Sequence, residues 1–187
     1  MKVLATAALL MAKKYGMSVD DTEQLVAGLI DGLVDADDFE YIKVCLKDAT
    51  GVEQLVEKAV ADFEKGDVQS ILDGIVVIGQ ILQDLPTDLG DCEAIKPDIA
   101  RIENWATIFE DPKKLASTVL MNLLTHHQKI FDDVSQTSRD FDSSQFHAAG
   151  VDISDILIQT LGPVPKLAAT EITAIHPENL LITQWGQ

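Results

Sequence analysis

Residues 52–63 place Val52, Leu55, Val56, Ala59, Val60 and Phe63 at steps of 0, 3, 4, 7, 8 and 11, with charged residues between them. That spacing sets one apolar stripe along a helix and cannot line one face of a strand, whose period is two. The same period runs through Leu25, Val26, Leu29, Ile30 and Leu33, through Phe39, Ile42, Cys45 and Leu46, and nearly all round the axis from Val68 to Leu85. Further on it joins Ile95, Ile99, Ile102, Ala106 and Phe109, then Leu115, Val119, Leu120, Leu123, Leu124, Phe131 and Val134, then Phe146, Ala149, Ile153, Ile156, Leu157 and Leu161. The chain reads as all-α, one domain of about six or seven helices over residues 1–163. With 47% hydrophobic residues in a chain of 187, it has enough apolar surface for a single core.

Punctuation supplies the boundaries. Ser18, with Asp20 and Asp21 in a first turn, opens one helix, and Thr50-Gly51-Val52-Glu53 fits a capping box at the next. Gly66 ends that helix, Asp67 starts the central one, and Pro86 stops it, with a loop over Thr87–Cys92. Pro97 interrupts the following helix early, and Asp111-Pro112 reads as a cap followed by proline at the first helical position. The polar stretch Ser135–Ser144 reads as a loop, and Gly162-Pro163 closes the last helix. Residues 164–187 form an extended arm. From Thr170 onward it is β-branched and carries Ile172, Ile175, Leu180, Leu181, Ile182 and Trp185, an apolar set expected to mediate self-association.

One stretch occurs twice. Asp62-Phe63 followed by Gly74-Ile75-x-Val77-x3-Ile81-Leu82-Gln83-x-Leu85 matches Asp140-Phe141 followed by Gly150-Val151-x-Ile153-x3-Leu157-Ile158-Gln159-x-Leu161. Two related helical hairpins packed about one core are the expected result.

Charge and motifs exclude more than they assign. A formal net charge of −17 opposes nucleic acid and anionic lipid surfaces. The longest apolar run, Ile71–Leu82, is too short to span a bilayer and reads as a core helix. Lys2 followed by uncharged Val3–Ala12 fits either a signal peptide or an amphipathic first helix within residues 1–16. Cys45 and Cys92 would pair in a secreted chain and stay reduced in a cytoplasmic one. The adjacent His126 and His127 point about 100° apart on a helix and suit no shared metal, and His127 reads as tucked against the core. His147 and His176 have no ligand-spaced partners in the sequence.

Asp31, Asp35, Asp37, Asp38 and Glu40 offer hard oxygens. Leu33 and Ala36 occupy the positions where an EF-hand needs an oxygen and a glycine, so weak, diffuse divalent-cation binding is the expectation. Asp132-Asp133 offers paired carboxylates but nothing to prefer over solvated charge. With no GxSxG, phosphate loop or dinucleotide fingerprint, no catalytic residue, cofactor or enzymatic activity is expected.

Residues 39–163 also resemble a family of small secreted helical proteins of ciliated protozoa. The likeness is carried by Cys45-Leu46-x-Asp48, Asp62-Phe63, Gly74, Ile78-Gly79, Leu82, Leu85-Pro86, Leu89 and Cys92, and then by Ile130, Asp132-Asp133, Asp140-Phe141, Gly150, Asp152, Ile156-Leu157 and Leu161-Gly162. The resemblance implies a secreted protein in which Cys45 and Cys92 form a disulfide, and it implies no chemistry. The leading expectation is a non-catalytic structural or interaction protein that assembles as a homo-oligomer or filament. The alternative is a helical binding module for a lipid or other apolar ligand.

Overall fold

Ser18 caps the first described helix. Its hydroxyl accepts the Asp21 N–H while the Asp21 carboxylate accepts the Ser18 N–H at 2.8 Å, a reciprocal cap that opens α1, Val19–Val34. The computed structural model describes residues 16–36, 39–46, 51–89 and 92–166. Within them follow α2 (Phe39–Cys45), α3 (Val52–Phe63), α4 (Val68–Asp88), α5 (Lys96–Ala106), a 3-10 turn (Thr107–Glu110), α6 (Pro112–Asp142) and α7 (Phe146–Leu161). These seven helices form one all-helical domain, in which α1 packs on α7, α6 on α7 and α3 on α4 most extensively. The N-terminal segment, residues 1–15, and the arm from residue 167 onward lie outside the described residues.

The duplicated pattern is a duplicated hairpin. Asp62-Phe63 ends α3 and Gly74 lies on α4; Asp140-Phe141 falls in the last turn of α6 and Gly150 lies on α7. As the stripe on the central helix implied, Ile78 and Leu82 are fully buried. Asp67 caps α4 by accepting the Ser70 N–H, Asp111 caps α6 by accepting from Lys113 and Lys114, and Gly162 ends α7 at φ 92°.

Three expected boundaries are wrong, each for a physical reason. Pro86 does not stop α4: the helix continues to Asp88, because proline so near an end removes a single ladder bond and the Leu89 N–H still closes on the Leu85 carbonyl. At 21 residues, α4 is the one described helix long and apolar enough to cross a bilayer, and over half of that stretch is buried inside the bundle. Pro97 starts α5 rather than interrupting it, sitting in the first turn where an N–H has no partner to lose. Phe109 falls outside α5, in the 3-10 turn. The capping box read at Thr50 and Glu53 involves Thr50, which lies outside the described residues; Gly51, at φ 100°, directly precedes α3.

The largest correction concerns Ser135–Ser144. Most of it is helix, since α6 reaches Asp142 and only Ser143 and Ser144 lie in the turn that follows. Ser135, Thr137 and Ser138 turn their hydroxyls back onto the carbonyls of Phe131, Asp133 and Val134, so these polar residues are satisfied within the helix. Val134, Thr137 and Phe141 carry the buried face through the segment. The helix bends at His126 (φ −120°, ψ 20°), one residue after Thr125 returns its hydroxyl to the Met121 carbonyl.

The closest approach in the fold is α1 against α7. A methyl group at Gly28 would run into the His147 carbonyl, one at Gly32 into the Ser154 hydroxyl, and one at Gly150 into the Leu25 carbonyl and the Leu29 nitrogen. Glycine disfavours a helix interior by about 0.5–1 kcal/mol, so three at one crossing mark backbones packed where no side chain fits. Beyond α7 the chain is fastened onto α5: Trp105 Nε1 donates to the Gly162 carbonyl at 3.1 Å, Arg101 Nε donates to the Pro165 carbonyl at 3.0 Å, and Val164 is buried.

Candidate functional site

Among the described residues, exposed apolar side chains gather on α6. Leu120, Met121 and Leu124 are 43%, 66% and 82% exposed, and Val68 at the start of α4, 43% exposed, stands beside them. Leu120, Leu123, Leu124, His127 and Phe131 fall at helical steps of 0, 3, 4, 7 and 11, and with Val68 they line an open groove of about 430 Å³. A second groove of about 460 Å³ shares Phe131 and continues along α6 past Val134, Ser135 and Ser138, with Phe63, Glu64 and Gly66 on its other wall.

This overturns the reading of Leu120 and Leu124 as core and of His127 as tucked. Both leucines and His127 are exposed; the core face of α6 is instead Leu115, Val119, Leu123, Ile130, Val134 and Phe141. The helix carries two adjacent apolar stripes, and among the described residues only one has a helix packed over it.

Other candidate residues separate in space. Asp31 is buried and meets His147 Nε2 at 3.1 Å, with the Phe39 ring edge-on to the imidazole at 5.7 Å. Asp35 sits in a left-handed conformation at the end of α1, 3.6 Å from Lys166 Nζ, and Glu40 is exposed on α2. Asp37, Asp38, His176 and the arm residues Ile172, Ile175, Leu180, Leu181, Ile182 and Trp185 lie outside the described residues. Among the described residues no group of three or more His, Cys, Asp or Glu could hold a metal ion. Cys45, the last residue of α2, and Cys92, just before α5, have Cα atoms 5.6 Å apart and are joined as a disulfide that encloses the α3–α4 hairpin.

Sequence reading passed over a polar seam between α6 and α7. Asp133, Gln136 and Asp140 lie at steps of 0, 3 and 7 on α6, and Asp152, Asp155 and Gln159 repeat those steps on α7. Gln159 Nε2 donates to Asp133 Oδ2, and Gln136 Nε2 donates to Asp140 Oδ1 at 2.9 Å. Burial raises the Asp133 carboxyl above its ordinary range, although Gln159 works against it. Burial, followed by the neighbouring Asp140, pushes the Asp152 carboxyl up to about 7. The paired spacing was present in the sequence; that the two sets would face each other was not.

A family model described as SctB-like, Secreted protein B-like, matches residues 7–161. The chain belongs to the SctB-like family. The match ends on the final residue of α7, so all seven helices, both cysteines, the grooves and the seam fall inside the SctB-like region, and the C-terminal arm falls outside it. No curated protein and no solved structure matches the chain. The family's description is that of a secreted protein, and a helical core closed by a cysteine pair is consistent with it.

Proposed function

We propose that this SctB-like chain is a secreted, non-catalytic interaction protein that self-associates, the arm of one copy seating Ile172, Ile175, Leu180, Leu181, Ile182 and Trp185 in the α4–α6 groove of the next. The carrying observation is the exposed stripe of Leu120, Met121 and Leu124 running into a groove lined by six apolar or aromatic side chains. Apolar surface of that kind on an otherwise strongly acidic protein marks a docking face, since net charge alone keeps copies apart. The arm supplies the complement: it follows the fastened exit at Gly162–Pro165, spans 21 residues beyond Lys166, and carries Glu171 and Glu178 as its only acidic side chains. At roughly 3.3 Å per extended residue that length reaches well past the body of its own domain.

Native mass measurement tests this on the full chain, a chain ending at Lys166 and the Leu124→Asp variant. Truncation at Lys166 spares the contacts of Trp105 and Arg101 with the exit segment. Oligomers from the full chain, with folded monomers from the other two, support the reading; unchanged oligomers from all three overturn it. A monomeric full chain holding an apolar adduct would assign the same groove to a small ligand, which its volume of about 430 Å³ accommodates.

A further inference from the structure

The seam between α6 and α7 is short of hydrogen-bond donors. Asp140 is buried and accepts from Gln136, whose own carbonyl oxygen is taken by the exposed Arg139 guanidinium at 2.6 and 3.1 Å. Asp152 faces Asp140 from α7 within hydrogen-bonding reach, and the further groups acting on it, Asp133 and Asp155, are also carboxyls. The nearby cations are turned elsewhere: Lys129 acts on Asp133, and His147 faces Asp31 on α1. From the other helices packed on α6 come Glu57, Asp62 and Asp67; Lys65 engages Asp62, and Asp67 caps α4. Two acceptors, Asp152 Oδ2 and Gln159 Oε1, are thereby buried without a donor. A buried acceptor left unmet is costly, and two carboxylates facing each other cannot both stay ionised at low cost. One proton relieves the carboxyl pair, converting Asp152 or Asp140 into a donor to its neighbour.

We propose that Asp140 and Asp152 form an acid-tightened clasp, sharing one proton across the α6–α7 interface in mildly acidic medium and repelling each other once it is lost. The elevated Asp152 carboxyl agrees with this geometry. The folded chain holds the proton against an unfolded-state value of 3.8, so the clasp's contribution is complete below about pH 4. It drains away as pH rises through the folded value of about 7 and is constant above that. A protein leaving a mildly acidic compartment for neutral medium would therefore loosen its second hairpin.

The test is thermal melting of the full chain and of Asp152→Asn between about pH 5 and about pH 8. The asparagine amide donates to Asp140 at every pH, whereas groups common to both proteins cancel in the difference. Near-equal Tm values at the acidic end, with the variant melting several degrees higher at the alkaline end, are expected. A Tm difference that does not change with pH overturns the clasp. Should Asp152→Asn fail to fold, infrared spectroscopy of the unaltered chain decides: a protonated-carboxyl band persisting at about pH 6 supports the clasp, and complete ionisation by about pH 5 overturns it.

Discussion

The two hairpins share an Asp-Phe pair and one spacing from glycine to last leucine, and spend them differently. In the first, Gly74 makes room for the Phe63 ring of its own hairpin, and Phe63 is fully buried there. In the second, the matching Gly150 makes room for the backbone of α1, and Phe141 instead packs edge-on against Phe146 at 5.6 Å. The acidic residue before each phenylalanine diverges too: Asp62 meets Lys65 Nζ at 2.6 Å, while Asp140 faces another carboxyl. Duplication therefore fixes the hairpin and the empty place at the glycine, and the neighbouring elements decide what fills it. The first hairpin is enclosed by a covalent loop; the second is wedged by a third helix.

That contrast can be broken or sharpened by experiment. Reduction of Cys45–Cys92 should have the largest effect. Releasing a loop of sequence separation 47 costs about 4 kcal/mol by chain-entropy reasoning. Hydrogen exchange should then quicken in α3 and α4 more than in α7; equal quickening would mean that the hairpins do not differ in how they are held. Should native protein yield two alkylatable thiols without reductant, the disulfide and the secreted reading fail together.

Next come matched core truncations. Leu82 and its repeat counterpart Ile158 differ in burial, fully buried against half-buried. Leu82→Ala should cost about 3 kcal/mol in denaturant unfolding and Ile158→Ala about 1 kcal/mol. Similar costs would show the two repeats to be more alike than their surroundings indicate.

A smaller gap should separate the glycines. Gly150→Ala drives a methyl into the α1 backbone, at a cost of about 2–3 kcal/mol, whereas Gly74→Ala meets a ring that can turn and should cost about 1 kcal/mol. Reversal of that order in unfolding free energies would refute the assignment of wedge and ring. Smallest is Lys65→Ala, which removes an exposed partner of Asp62 and should cost about 0.5 kcal/mol or less by the same measurement.

Much of this fold was legible where period and punctuation agree. The stripe from Val52 to Phe63, the burial of Ile78 and Leu82, and the caps at Ser18, Asp67 and Asp111 all follow from spacing and side-chain chemistry. The second half of α6 was not, because hydroxyls that bond back to their own helix look the same in a sequence as hydroxyls in a loop. A helical stripe also does not say whether another helix covers it, so Leu120 and Leu124 read as core although they face outward. The α1–α7 crossing did leave a trace, Gly28-x-x-x-Gly32, a spacing that brings two small residues to one helix face. The Asp140–Asp152 seam left only matched spacings, which acquire meaning once the antiparallel pairing is known.

The glycine-lined crossing of α1 and α7 also sets an order of events in time. From Val34 at the end of α1 to Phe146 at the start of α7 lie more than a hundred residues, so one of the largest helix–helix contacts closes a very long loop. Loops of that length close late, after local hairpins such as α3–α4 have had their chance to form. At synthesis rates of about 5–20 residues per second, α1 is without its partner for roughly ten seconds. During that interval the flat glycine face of α1 has nothing to pack against, and the domain stays open. α7, the last described helix, then locks the fold by arriving.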